Sequence, residues 1–176
     1  MKIIFLRHFR TKVDRNKPVA EWGLDEEGKK AMQQLLATYD FSKISSIISS
    51  PEPKALITAK AIGGEFSKEI IEEPLISEVD RSKAGFIEGD YTEVVKRYFS
   101  SYNFEYAWEP IEAVRERIRK AERKIALVSG NPLIISHGMF LSLMLAPLLG
   151  KEVISFWKNL GFGEIIEVDR ALLPTY

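Results

Sequence analysis

Two histidines occur in the 176 residues, and each stands at the end of a short apolar run. The first closes Ile3-Ile4-Phe5-Leu6-Arg7-His8, with Phe9, Arg10 and Thr11 directly after it. The second closes Pro132-Leu133-Ile134-Ile135-Ser136-His137 and is followed by Gly138. An imidazole with an unperturbed pKa of about 6.5 is substantially neutral at working pH, and the neutral ring is a nucleophile or a base. Arg7 and Arg10 place two guanidinium groups beside the first histidine, suited to an anion. Taken alone, Arg7-His8 reads equally well as a solvated basic turn, and a lone histidine is more often structural than catalytic. The repeated placement makes coincidence a poor explanation.

For the two rings to meet, both apolar runs must be strands of one sheet. In an α/β sheet, ligands bind in the crevice beyond the carboxyl ends of the strands, where both histidines then fall. The intervening chain supplies the remaining elements. Lys12 to Glu21 is a polar loop carrying Asp14, Asn16 and Pro18. After Trp22-Gly23-Leu24-Asp25, the spacing of Gly28, Ala31, Met32, Leu35 and Leu36 predicts a helix. Ile44 to Ile48 predicts a strand, and Pro51 and Pro53 open a helix packed through Ala55, Ala59 and Ile62, with Gly63-Gly64 as its stop. Ile70 to Ile76 reads as a further strand, interrupted by Glu72-Glu73-Pro74.

Tyr91, Val94, Val95, Tyr98, Phe99 and Tyr102 form an aromatic helical stripe, a core or a lid. Pro110 opens a long helix whose inner face is Ile111, Val114, Ile118, Ala121 and Ile125, and its outer face carries Glu, Lys and Arg. Gly130-Asn131-Pro132 ends it. The helix from Gly138 to Leu149 is apolar almost all round, hence deeply placed. Gly163 to Asp169 predicts a last strand at a sheet edge, and Ala171 to Tyr176 a tail. The expected fold is one α/β domain over residues 1–176, a three-layer sandwich with a mostly parallel central sheet and helices on both faces.

Composition sets further bounds. A hydrophobic content of 45% with 28% charged residues describes a soluble globular chain. Lys+Arg and Asp+Glu balance at 25 each, so no global field favours nucleic acid or membrane, and any basic patch is local. With no cysteine there is no disulfide, thiolate nucleophile or thiolate metal site. The first apolar run is too short for a signal peptide, and no stretch reaches membrane-spanning length, so a cytoplasmic location is the default expectation.

The sequence strand-Arg-His-x-x-Thr near the start, with strand-Ser-His-Gly late in the chain, resembles the histidine phosphatase superfamily, which includes the phosphoglycerate mutases. The correspondence covers nearly the whole chain. A Leu-x-x-x-Gly segment ahead of the first helix agrees with it, as does Ser49-Ser50-Pro51-Glu52-Pro53-Lys54-Ala55-Leu56-Ile57-Thr58-Ala59. The resemblance implies that His8 becomes phosphorylated while Arg7, Lys54 and His137 hold the transferred oxygens. Glu78, after Leu75, takes the place of the general acid, with Glu72, Glu73, Asp80 and Glu88 as nearby alternatives. Arg10, Thr11, Asn16, Arg81 and Gly138 are the candidate substrate contacts, with Lys83 beside them.

Three positions depart from the family pattern. Phe9 stands where glycine is usual, Arg10 where Glu or Gln is common, and Lys54 where an arginine binds phosphate. Asp14 holds the place of the usual asparagine, two positions before Asn16. Lys54 at a helix start sits against the positive end of the helix dipole, a conflict that a bound anion would relieve.

The reading that follows is a phosphomonoester hydrolase with a phosphohistidine intermediate, needing no metal or cofactor. Its substrate would be a small phosphorylated metabolite or a phosphoprotein; no nucleic acid or membrane partner is expected, and a homodimer is compatible. Two alternatives share the same residues. One is a mutase of the phosphoglycerate type, and the other a weakly active phosphate-binding regulatory domain. The short stretch between Glu78 and the long helix leaves room for a small cap only, which favours the hydrolase.

Overall fold

The computed structural model describes residues 1–84, 86–100 and 106–174. Five strands, β1 (Lys2–Arg7), β2 (Ile47–Ser49), β3 (Ile70–Glu72), β4 (Leu133–Ser136) and β5 (Ile165–Asp169), form one sheet in the order β3-β2-β4-β1-β5. The first four are parallel, and β5 runs antiparallel to β1 at the edge. Among the described residues six α-helices accompany them: α1 (Glu26–Thr38), α2 (Pro53–Phe66), α3 (Tyr91–Ser100), α4 (Ile111–Leu127), α5 (Gly138–Leu148) and α6 (Val153–Asn159).

The near-continuous apolar strands are what a sheet covered on both faces requires. Alternate residues of β1 divide between two cores. Ile3 and Phe5 join Ile134 of β4 and pack against α3, α4 and α5. Ile4 and Leu6 join Leu133 and Ile135 and pack against Met32 and Leu36 of α1 and Ala55, Ala59 and Ile62 of α2. The three-layer sandwich anticipated from the sequence is present. The inner face of α4 is as its spacing predicts, with Ile111, Val114, Ile118, Ala121 and Ile125 all buried. Helix α5 is buried continuously from Gly138 to Ala146.

Several boundaries differ from expectation. Strand β2 begins at Ile47 rather than Ile44, because Asp40 caps a single turn over Phe41–Lys43 and Ile44 only closes it. Strand β3 stops at Glu72, since Pro74 cannot extend the ladder and instead opens the turn Pro74–Ile76. Gly63 and Gly64 do not stop α2, which continues to Phe66 and is closed by Ser67 at φ 52°. Gly63 serves packing, with its Cα side facing Ile70 of β3. Helix α6 was not foreseen; Glu152 caps it by accepting from Ile154 N (3.0 Å) and Ser155 N (2.7 Å). Of the aromatic stripe, Tyr102 lies outside the described residues, as do the last two residues of the tail.

The loop after β1 is fastened to α1 at one crowded point. Asp25 caps α1 through Gly28 N at 2.7 Å, and Asp25 N donates to Arg10 O at 3.1 Å. A Cβ on Gly28 would lie 2.2 Å from that same Arg10 carbonyl oxygen. Helix propensity alone would have Gly28→Ala stabilise by about 1 kcal/mol. The clash is with backbone, which cannot rotate away, so overpacking wins and the variant is expected to lose about 2 kcal/mol net. Urea unfolding at neutral pH checks this; a stabilised Gly28→Ala would show that the loop yields freely.

Candidate active site

The parallel pairing of β1 with β4 sets Arg7 opposite Ser136, so the next residue on each strand is a histidine. The two rings lie 5.0 Å apart between centroids. His8 N donates to Ser136 O at 3.0 Å, which locks the strand exits together. The Nδ1 of His8 is 2.7 Å from Phe9 O, and a carbonyl only accepts, so Nδ1 carries the proton. Nε2 is left with the lone pair. The Phe9 side chain turns the other way, into the core beneath α1 and α2. It fits there because Gly163, at φ 72°, has no Cβ, which would fall 2.4 Å from the Phe9 ring. Phenylalanine after the histidine therefore leaves the approach to His8 open.

His137 is fully buried, with Nε2 2.7 Å from Ser50 Oγ and 3.5 Å from Glu52 Oε1. Its Nδ1 is buried without a hydrogen-bond partner among the described residues. Glu52 is the hub of this corner. Its Oε2 pairs with Lys54 Nζ, and its Oε1 accepts from Glu78 N at 2.7 Å. Lys54 also donates to Val19 O at 2.9 Å and is 2% exposed. The anion that relieves Lys54 at the start of α2 is thus supplied by the chain itself, one residue ahead of Pro53.

Glu78 is held at the amino end of α5. Its carboxylate accepts from Phe140 N (2.9 Å), Met139 N (3.2 Å) and Val79 N (3.0 Å), an anion set against unpaired helix N–H groups. Arg117 of α4 fixes the segment that carries it. Its guanidinium donates to Leu75 O (2.8 Å), Ser77 O (2.8 Å) and Glu78 O (3.2 Å) and pairs with Glu109 at 2.7 Å. Ser136 Oγ adds a bond to Ile76 O at 2.7 Å.

Arg7, His8, Lys54, Glu78 and Arg81 line one cavity of about 560 Å³. Arg7 donates to Leu160 O, and its Cζ lies 4.0 Å above the ring of Phe162. Arg7 also rests on Gly138, where a Cβ would come within 3.0 Å of the guanidinium. The Nε atoms of Arg7 and Arg81 are buried without partners among the described residues. Arg81 donates to Tyr91 Oη and sits 5.5 Å from the Trp108 ring centroid. Thr11 lines the cavity, and Arg15 reaches its rim over Phe86.

Three anticipated contacts stand elsewhere. Arg10 is drawn to Asp25 (2.5 Å) and Glu27 (2.6 Å) on α1 and does not line the cavity, so its charge does not add to that of Arg7. Asn16 is exposed, its backbone folded back onto Asp14 Oδ1 at 3.0 Å, and it too is absent from the cavity wall. Lys83 likewise lies away from the cavity. Sequence reasoning missed Glu52, Ser50, Arg117, Arg15 and the rings of Trp157 and Phe162. A carboxylate between two prolines was the visible signal for Glu52. Arg117 sits on a helix whose outer face is charged throughout, and nothing in the spacing singled it out. Among the described residues no group of three or more His, Asp or Glu side chains could hold a metal ion.

Burial dominates the electrostatics. It lowers the pKa of His8 to about 3, with Lys54, Arg7 and Arg81 pushing the same way and the Phe9 carbonyl opposing them. Burial also drives His137 well below the ordinary histidine value, helped by His8 and Lys54, and it lowers Arg7. Both rings are therefore neutral, and His8 holds a free lone pair at any pH above about 4. The unfolded chain, with histidine near ~6.5, binds more protons than the folded one between the two values. Stability consequently falls as pH drops below ~6.5, and His8 alone accounts for about 2 kcal/mol of loss at pH 5 relative to pH 8. His137 acts in the same direction. Urea midpoints measured from pH 8 to 5 are expected to fall, and His8→Asn to flatten the decline; a flat wild-type profile would contradict the burial of both rings as neutral species.

Against this geometry, the comparisons with known proteins are specific about family. The family model described as histidine phosphatase superfamily (branch 1) matches residues 3–168. No curated protein matches the sequence significantly. Among solved structures, YhfR of Bacillus stearothermophilus superposes with a TM-score of 0.77 at 20% identity, over 96% of this chain and 90% of its own. Alpha-ribazole phosphatase from Shigella flexneri gives 0.69 at 20%, over 96% and 90%. A phosphoserine phosphatase from Entamoeba histolytica gives 0.64 at 22%, over 94% and 89%. At such identities the likeness is one of fold. No helix among the described residues is long and apolar enough to cross a membrane. With the family match running from the first strand to the last, over a sheet that joins two strand-end histidines, this chain belongs to the histidine phosphatase superfamily.

Proposed function

We propose that this chain is a phosphomonoester hydrolase acting through a phosphohistidine on His8. The observation that carries the reading is the hydrogen bond from His8 Nδ1 to Phe9 O, which leaves Nε2 unprotonated in a cavity shared with Arg7, Lys54 and Arg81. Phosphoryl transfer demands little covalent work from a protein beyond a placed nucleophile and positive charge around the equatorial oxygens. In the first step Nε2 attacks phosphorus, the P–O bond to the alcohol breaks, and the departing alkoxide takes the proton that a monoanionic ester brings in, handed on through the Glu78 carboxylate. In the second, Glu78 takes a proton from water, the water oxygen attacks phosphorus, and the P–N bond breaks to return neutral His8 and release phosphate.

His137, expected to hold the transferred oxygens, is fully buried, does not line the cavity and packs beside the His8 ring, its Nε2 on Ser50 Oγ. Among the described residues, Arg7 and Arg81 have unpartnered Nε–H groups that would serve the transferred oxygens. The Arg117 cluster holds the backbone that carries Glu78. Return of the phosphoryl group to product, as in a mutase, would need water kept from the phosphoenzyme. Between Glu78 and α4, the described residues contribute one short helix, α3, which favours hydrolysis.

Three measurements test the reading. Rapid quenching with labelled substrate is expected to give an acid-labile, base-stable phosphoprotein that is absent in His8→Ala, with turnover down at least about 10³-fold. Label on a carboxylate or hydroxyl, or label persisting in His8→Ala, would overturn it. Turnover of p-nitrophenyl phosphate is expected to survive excess EDTA, and loss restored by Mg²⁺ or Zn²⁺ would replace the mechanism with a metal-assisted one. Glu78→Gln is expected to slow alkyl phosphates by about 10²–10⁴-fold. The same change should slow p-nitrophenyl phosphate far less, because that leaving group departs without a proton. Equal losses on both would move the acid to another carboxylate.

A further inference from the structure

Beyond the atoms that would hold a phosphoryl group, the cavity has a second character. Its walls are aromatic: Trp22 before α1, Phe86 before α3, Tyr91 at the start of α3, Trp157 on α6 and Phe162 in the turn that follows. These come from three separate stretches of the chain and converge on the same space. Phe162 begins the wall beside the nucleophile, its ring centroid 5.7 Å from that of His8. Tyr91 and Trp157 continue it, 6.0 Å apart between centroids. Phe86 and Phe162 leave 41% and 47% of their surface exposed, although a large apolar side chain normally seeks cover. The volume, about 560 Å³, is in the range of ligand pockets and far more than a phosphate fills.

Hydrogen-bonding side chains are sparse beyond the phosphate end, where Arg15, stacked over Phe86, and Glu88 are the polar groups of the wall. Among the described lining residues, Thr11 is the only one of Ser, Thr, Asn or Gln type. The Trp22 indole N–H is already given to Asp14 O (3.0 Å) and Lys17 O (3.2 Å). Tyr91 Oη is engaged by Arg81 and lies 3.6 Å from Met139 Sδ. A polyhydroxylated alcohol, such as a sugar, would exchange water for rings that offer its hydroxyls little, at a cost for each one left unpaired. A flat ring would meet offset or edge-on partners on several sides.

We propose that the preferred substrates are small phosphomonoesters whose alcohol carries an aromatic ring, held by Trp157, Tyr91, Phe86 and Phe162. This rests on the hydrolase reading for its kinetic readout, but ring recognition can be measured separately. The panel is 2-phenylethyl phosphate, butyl phosphate and glucose 6-phosphate, which all release a primary alkoxide, so chemistry is matched and differences report on binding. The phenyl ester is expected to exceed both others in kcat/KM by about tenfold or more, the size of one or two good ring contacts. Phe86→Ala, on an exposed position outside the catalytic group, should raise KM for the phenyl ester more than for butyl phosphate. Trp157→Ala should do the same more strongly.

In parallel, calorimetry on the wild-type chain compares 2-phenylethylphosphonate with ethylphosphonate, neither of which can be hydrolysed. Tighter binding of the phenyl compound, reduced by Phe86→Ala, upholds the aromatic site even if no ester turns over, in which case only the hydrolase reading falls. Equal rates across the panel, or a preference for glucose 6-phosphate, with turnover intact, overturns the inference and leaves the hydrolase reading standing. Equal phosphonate affinities overturn it as well.

Discussion

The structure depends on one pairing. Strands β1 and β4 are far apart in sequence, yet they lie side by side and parallel, with Arg7 aligned to Ser136. A parallel pair has both carboxyl ends on one edge of the sheet, and a one-residue slip would turn a histidine from the crevice into a core. The alternation of β1, with Ile3 and Phe5 facing one core and Ile4 and Leu6 the other, forbids that slip. Thus the position of His8 relative to His137 is set by hydrophobic sorting along two short strands. The hydrogen bond from His8 N to Ser136 O adds direction to an alignment already fixed.

Placing cations and imidazoles at this edge brings a cost. A low-dielectric site disfavours every charged form, so the rings stay neutral and Arg7 is held against its solvation preference. The surrounding chain offsets this in two ways. It supplies carbonyls and aromatic faces to the guanidinium of Arg7, through Leu160 and Phe162. It also brings two carboxylates, Glu52 and Glu78, each already occupied with N–H donors or an ammonium. The same desolvation that disfavours these cations strengthens any interaction with an incoming anion.

Much of this was legible in the sequence, and for physical reasons. Buried parallel strands announce themselves as apolar runs, and a residue at the end of such a run is already located relative to the crevice. That is why Arg7, His8 and His137 could be placed from composition and order alone. The inner face of α4 was equally plain, because a helix with one wet side writes its period into the chain. What was hidden depended on side-chain direction. Arg10 looked like a second cation for the site, but the cap at Asp25 and the charge of Glu27 lie closer to its guanidinium than the cavity does. Phe9 stood out only as a departure from the usual glycine, and room for its side chain depends on a glycine more than 150 residues away in the chain. Short elements also escaped notice. Helix α6 spans only two turns, too few for a period to show, yet it delivers Trp157 to the cavity.

The pairing of Glu52 with Lys54 gives the site a different way of choosing anions. A bare buried lysine attracts any negative ion that can reach it, chloride included. Here the ammonium is already paired from within, so on the proposed reading binding would be an exchange in which the newcomer displaces a tethered carboxylate at very high local concentration. A singly charged ion offers nothing that Glu52 does not already provide. A doubly charged ion with three free oxygens offers more charge and more acceptors, and can engage Arg7 and Arg81 in the same event. Under the proposed hydrolase reading, the internal counter-ion would act as a threshold, raising selectivity for dianions at the expense of raw affinity.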